Sequence, residues 1–263
     1  EWSSLFKKLS VVMLSWLLTL TAIAPIATIT AETEKSASPK QSVKYKPESF
    51  SVIAQTGQIL YQDKAEKVTD PASLTKMMTM YLTLDAIENG EIKGTDKIKI
   101  TSDYEKMSVL PDLASVPLER GKSYSINQFL RQITLESSNA ATLILGEKVS
   151  GSTSKFTDEM NHKAKKLGMD HTHFVNPTGA DNDLLQHYAP KQYQKERKTQ
   201  TTANDMTILM QNILKDHPKI LKYSSKTTDK QFGTELKTKN ISLKGQRFEL
   251  KGADGLKTGT SDE

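Results

Sequence analysis

The chain has 263 residues, 36% of them hydrophobic and 25% charged, enough for one globular domain whose core needs no disulfide. It has no cysteine, which excludes a disulfide framework, thiolate metal sites and a cysteine nucleophile. A formal net charge of +5 favours anionic surroundings without choosing between a wall polyanion, a membrane surface and nucleic acid. The basic clusters Lys163 to Lys166 and Lys195 to Lys198 lack interleaved aromatic residues, so they read as solvated faces and imply no nucleic-acid partner.

In chain order, Lys7 and Lys8 precede an uncharged run from Leu9 to Ala31, the pattern of a secretory signal over residues 1–31. The run is also just long enough to be an uncleaved membrane anchor. Both readings place the remainder outside the cytoplasm. Residues 32–46 are rich in Ser, Thr, Lys, Glu and Pro without apolar periodicity and read as a tether. The folded domain is expected over 47–263. Phe50 to Gln55 and Gln58 to Gln62 flank Thr56-Gly57 as a hairpin. Asp70-Pro71 predicts a helix start, with Asp70 as N-cap, and Ser73 to Glu88 continues it to Asn89-Gly90. A short strand is expected at Ile98 to Thr101. Helices follow at Ile126 to Glu136, Asn139 to Val149 and Ser154 to Leu167, and from Thr202 to Lys215 with Asp205 completing a capping box. The tail predicts strands at Gln231 to Lys239, Arg247 to Lys251 and Gly255 to Thr260. Strands at both ends and helices between them imply an α/β (α+β) fold: an antiparallel sheet from both chain ends with an inserted helical region.

Three short motifs carry chemistry. In Ser73-Leu74-Thr75-Lys76 the i, i+3 spacing puts an amine beside a hydroxyl on one helix face, as a serine nucleophile with a lysine base requires. Such a base must be neutral, so burial or a neighbouring cation has to lower its pKa. The motif alone is weak, because Ser4 to Lys7 and Ser152 to Lys155 match it too. Ser137-Ser138-Asn139, at a break between two helices, offers a proton-relaying hydroxyl and an amide that can hold a carbonyl; the plainer reading is a helix cap at Asn139. Lys257-Thr258-Gly259-Thr260, on a predicted strand, offers a cation and two hydroxyls for a carboxylate. Its glycine allows close backbone approach. His171 and His173 are spaced like ligands, but without a third nearby they read as solvent-facing, and no metal or other cofactor is implied.

The order of these motifs, 64 residues apart and then 120, resembles the signature of penicillin-binding proteins and class A β-lactamases. Gln55-Thr56-Gly57, Pro71-Ala72-Ser73, Thr172-His173-Phe174 with Asn176-Pro177-Thr178-Gly179, Thr202-Ala203-Asn204-Asp205 and Asp254 to Thr260 are similar to the D-alanyl-D-alanine carboxypeptidase branch, from about Phe50 onward. The resemblance implies a β-lactamase/transpeptidase-like fold and a secreted enzyme cleaving the terminal D-alanine of peptidoglycan stem peptides through an acyl-enzyme, inhibited by β-lactams. It makes Ser73 the nucleophile, Lys76 its base and Ser137 the proton relay. Asn139, Lys257, Thr258, Gly259 and Thr260 would bind substrate, and the amides of Ser73 and Thr260 would form the oxyanion hole. It further implies strands and a helix beyond the last motif, so that the domain is incomplete at its C-terminus and inactive as it stands, and a possible C-terminal membrane anchor.

Alternatives are a D,D-transpeptidase, a class A-like β-lactamase and a non-catalytic wall-binding protein. The β-lactamase needs a placed glutamate between the second and third motifs, where Gly168 to Gly179 has only Asp170 as a carboxylate. Intact Ser73, Lys76 and Lys257 argue against a pure binder. An α/β-hydrolase is excluded by the lack of a Gly-x-Ser-x-Gly element.

Overall fold

The computed structural model describes residues 47–260. The expected signal segment and tether lie outside the described residues. β1 (Phe50–Ile53) and β2 (Ile59–Asp63) pair antiparallel around Gly57, whose φ of +87° is the left-handed geometry the turn needs. The chain then enters a 3-10 turn, Ala72–Thr75, which leads directly into α1 (Lys76–Glu88).

α1 is buried on nearly every side, which fits its apolar positions all round the helix. β3 (Lys97–Lys99), α2 (Ser102–Met107) and β4 (Ser123–Ser125) follow, with β3 and β4 paired antiparallel. α3 (Ile126–Glu136) starts from a full capping box: Ser125 Oγ accepts from the Gln128 amide, and Gln128 Oε1 accepts from the Ser125 amide. It buries Ile126, Phe129, Leu130 and Ile133 along one face. α4 (Asn139–Ser150) is buried from Asn139 to Gly146 and packs centrally. α5 (Thr153–Leu167) turns Phe156, Met160 and Ala164 inward and ends at Gly168. A short α6 (Asn182–Leu185) precedes α7 (Ala203–Asp216), α8 (Leu221–Ser224) and the hairpin of β5 (Thr228–Gln231) with β6 (Thr234–Lys237).

The chain therefore mixes helices with antiparallel strands, the helices lying between strand-bearing ends. Among the described residues the strands form three separate two-stranded ladders, and hairpin and tail do not share one sheet. The tail departs most from expectation. Phe232 (φ +47°) and Gly233 (φ +89°) make a tight reversal inside the stretch predicted as one strand from Gln231 to Lys239. The resulting hairpin docks on α3: Arg131 Nε lies 2.6 Å from Asp229, and the side chains of Gln132 and Gln231 bond at 2.9 Å. Neither Arg247 to Lys251 nor Gly255 to Thr260 forms a strand, because positive-φ glycines at 245, 252 and 255 repeatedly turn the backbone.

Two capping expectations also change. Asp70 does not cap α1. Its carboxylate accepts from the Ala72 amide at 2.7 Å, and the 3-10 turn intervenes before the helix. Thr202 does cap α7, accepting from the Asp205 amide, but the Asp205 carboxylate does not turn back to complete the box. It accepts from the His171 amide (2.9 Å) and the Thr172 hydroxyl (2.6 Å), tying α7 to the turn before His173.

Candidate active site

The 3-10 turn decides how Ser73 meets Lys76. In 3-10 geometry residues i and i+3 eclipse one another, so the two side chains stand closer than on an ideal α-helix. Lys76 Nζ lies 2.8 Å from Ser73 Oγ and donates to the Thr178 carbonyl, also at 2.8 Å. Lys76 is fully buried. That burial, and then the positive charges of Lys257 and Lys239, hold its pKa well below the usual lysine range. The turn itself is unusual: Ala72 has φ +45°, a conformation that L residues seldom adopt, and Asp70 holds its amide.

Ser73 opens onto a cleft of about 590 Å³ whose walls include Ser137, Asn139, Thr258, Gly259 and Thr260. Ser137 ends α3 in the left-handed conformation (φ +58°), which throws its side chain off the helix line. The N-cap of α4 is Ser138, whose Oγ accepts from the Ala141 amide, so Asn139 is not the cap. Asn139 instead clamps the loop before β4: both its backbone amide and its Nδ2 donate to the Ala114 carbonyl, each at 2.9 Å. Ser137 Oγ and Asn139 Oδ1 are buried with no hydrogen-bond partner among the described residues. Buried polar atoms are seldom left so, and at a cleft wall such groups can bond to water or to a bound molecule.

The third motif reaches the cleft without a strand. Ser224 Oγ donates to the Asp254 carbonyl at 3.1 Å, and Leu256 packs on the core. Gly259 then passes so close to the Ser73 turn that a Cβ there would lie 3.2 Å from the Pro71 carbonyl and 3.3 Å from Leu74. This close approach is the role expected of the glycine. Lys257 stands behind the wall, its Nζ donating to the Thr258 carbonyl. Burial, with the charge of Lys239, pushes its pKa down to about 8. All three motifs thus converge on one cleft.

Some residues of the site carry no motif. Lys239 lines the cleft and follows the β5–β6 hairpin, and nothing local in the sequence marks it. Arg197 keeps the solvated face expected of it, its side chain 68% exposed, and with Lys198 also lines the cleft, Arg197 Nε 2.9 Å from Asp181 and Lys198 Nζ 3.6 Å from Asp70. Lys163 does leave the solvated face, contacting Asp85 at 2.9 Å and the Tyr81 ring at 4.1 Å. Asp170 lines a different cavity, beside His171 and Asp205. His171 and His173 are about half exposed, near Glu66 and Glu196. Among the described residues no group of three His, Asp or Glu side chains could hold a metal ion.

A hydroxyl at a cleft wall, backed by a buried amine with a lowered pKa and sharing its cleft with a second hydroxyl, an amide and the segment after Lys257, is an arrangement that can support serine-centred acyl transfer. The chain belongs to the D-alanyl-D-alanine carboxypeptidase family, whose sequence model matches residues 34–263. It is 32% identical over 215 residues to D-alanyl-D-alanine carboxypeptidase DacF of Bacillus subtilis, covering 79% of this chain and 49% of that protein. It is 31% identical over 222 residues to DacA of Escherichia coli K12, covering 82% and 50%. The chain thus spans about half the length of these curated relatives. Among solved structures it is similar to PBP3 of Streptococcus pneumoniae, a peptidoglycan synthesis regulatory factor (TM-score 0.77, 31% identity, 82% of this chain and 60% of that one). It is also similar to penicillin-binding protein D2 of Listeria monocytogenes in its cefotaxime-bound form (TM-score 0.66, 31% identity, 82% and 78%).

Proposed function

We propose that this chain carries the active cleft of a serine D-alanyl-D-alanine carboxypeptidase that trims peptidoglycan stem peptides outside the cytoplasm and is acylated by β-lactams. The observation that carries the reading is the buried Lys76 amine 2.8 Å from the Ser73 hydroxyl, at the wall of a cleft shared with Ser137, Asn139 and Thr258 to Thr260. Ser73 attacks the carbonyl between the two terminal D-alanines while Lys76 takes its proton. Ser137 passes a proton to the leaving D-alanine with help from Lys257. Asn139 holds the peptide, and Lys257, Thr258 and Thr260 hold its terminal carboxylate. The amides of Ser73 and Thr260 receive the developing oxyanion, with Gly259 giving the backbone room. Water then releases the acyl group; release to an amine would make the enzyme a transpeptidase.

A β-lactamase reading is disfavoured because Asp170, the sole carboxylate of the 168–179 segment, faces another cavity, and Asp181 in the cleft is engaged by Arg197. The test is intact mass after penicillin, then D-alanine release from an acylated D-alanyl-D-alanine peptide. In the full-length protein, one penicillin per chain, lost in Ser73→Ala, is expected. An adduct that survives in Ser73→Ala, or none on the unaltered full-length protein, overturns the reading.

A further inference from the structure

We propose that Asn176 is a positioning residue for the reaction at Ser73: it rigidifies the turn Pro177–Gly179, and that turn aims the Lys76 amine at the Ser73 hydroxyl. The inference rests on the function proposed above and assigns a role to a motif which that function leaves unused.

Asn176 is completely buried, and every polar atom of its side chain is employed. Its Oδ1 accepts from the Thr178 amide (2.8 Å), the Thr178 hydroxyl (2.8 Å) and the Gly179 amide (2.9 Å). Its Nδ2 donates to the Ala180 carbonyl (2.7 Å) and to Asn182 Oδ1 (2.8 Å). An inverted amide would set its NH2 against three donors, so the orientation is fixed. Asn182 in turn donates to the carbonyls of Tyr193 and Glu196, which ties the turn to the next segment of the chain.

The turn so fixed meets the Ser73 region through three consecutive residues. The Pro177 carbonyl accepts from Thr79 Oγ1 at 2.7 Å, and the Thr178 carbonyl accepts from Lys76 Nζ at 2.8 Å. Gly179, at φ +80°, presses so closely that a Cβ would lie 1.9 Å from the Ala72 carbonyl. A neutral lysine amine has two N–H bonds and one lone pair. With one N–H committed to Thr178, the tetrahedral nitrogen can turn its lone pair to Ser73 Oγ and accept the hydroxyl proton as the serine oxygen attacks. The ammonium then formed keeps Thr178 as its acceptor. Apart from Ser73, no other hydrogen-bond partner among the described residues fixes the rotation of this four-torsion side chain.

The experiment follows penicillin acylation of the full chain under pre-steady-state conditions, separating the dissociation constant of the initial complex from the acylation rate constant. Asn176→Ala is expected to lower the acylation rate constant by about tenfold to a hundredfold, the scale of a misplacement of about an ångström. The dissociation constant should hold, since the residues assigned above to ligand binding, Asn139 and Lys257 to Thr260, lie outside this turn. Thr178→Val keeps the side-chain volume and the carbonyl but removes the hydroxyl's bonds to Asn176 Oδ1 and from the Ala180 amide (3.0 Å), leaving the other Asn176 bonds, and is expected to lower the same constant by less. It decides the matter should Asn176→Ala fail to fold. An unchanged acylation constant in a folded variant, or a loss confined to the dissociation constant, overturns the inference while leaving the proposed function intact. Absence of acylation in the unaltered full-length protein overturns both.

Discussion

Lys76 shows at the scale of one residue how burial becomes reactivity. Its ammonium would have to give up hydration for one carbonyl and one hydroxyl with two further lysines nearby, so the neutral form is favoured. Acylation is therefore expected to rise with pH across a midpoint below that of free lysine, ~10.4, as stopped-flow fluorescence with a labelled penicillin would show. A flat profile between about pH 6 and 10 would remove Lys76 as the base. Lys239 supplies part of the depression, so Lys239→Gln should move the rising limb to higher pH. The same shift has a stability sign. The unfolded chain binds a proton at Lys76 that the folded chain does not, so this contribution is complete above ~10.4 and is lost as pH falls through the lowered folded value.

At the scale of elements, what counts is how segment ends are fixed. The capping box at Ser125 satisfies exposed amides at the start of α3, far along the helix from Ser137. Ser125→Ala should destabilise the fold by about 1 kcal/mol in denaturant titrations, with acylation unchanged. Gly179 is the opposite case. Its Cβ would overlap the Ala72 carbonyl, and its φ of +80° disfavours any side chain. Gly179→Ala should displace the 3-10 turn and cut acylation more than stability, which parallel mass-labelling and thermal melts would separate.

Across the whole molecule, a cluster of partly buried charges joins α1, α5 and the end of α7. Asp85 contacts Lys163 at 2.9 Å and His217 at 2.6 Å, and the Tyr81 hydroxyl donates to Asp216. The His217 ring stands edge-on to Tyr81, centroids 5.5 Å apart. Removing one member leaves the others poorly paired. Asp85→Ala should therefore lower stability by about 1–3 kcal/mol, read as a shift of the denaturant midpoint, without altering the pH profile of acylation. A changed profile would mean that this cluster communicates with the cleft.

The sequence alone determined what depends on neighbours in the chain. Apolar periodicity and turn residues set the hairpin at Thr56-Gly57 and helices α3, α4, α5 and α7 almost to their ends. The spacing of Ser73 and Lys76 placed their side chains together. The three motifs pointed to residues that line one cleft, because their residue types are chemically uncommon in that order. The tertiary structure decided the rest. The tail alternates like a strand, yet ladder pairing depends on which neighbour is available, and the reversal at Phe232-Gly233 gave that neighbour to α3. Asp205 had the pattern of a capping box, but a turn brought close by packing took its carboxylate. Lys239, Arg197 and Lys198 joined the cleft, and the Thr178 carbonyl came to meet Lys76 from a hundred residues away. Contacts at such separations follow from how helices and loops stack, and no local pattern of residues encodes which surfaces will meet.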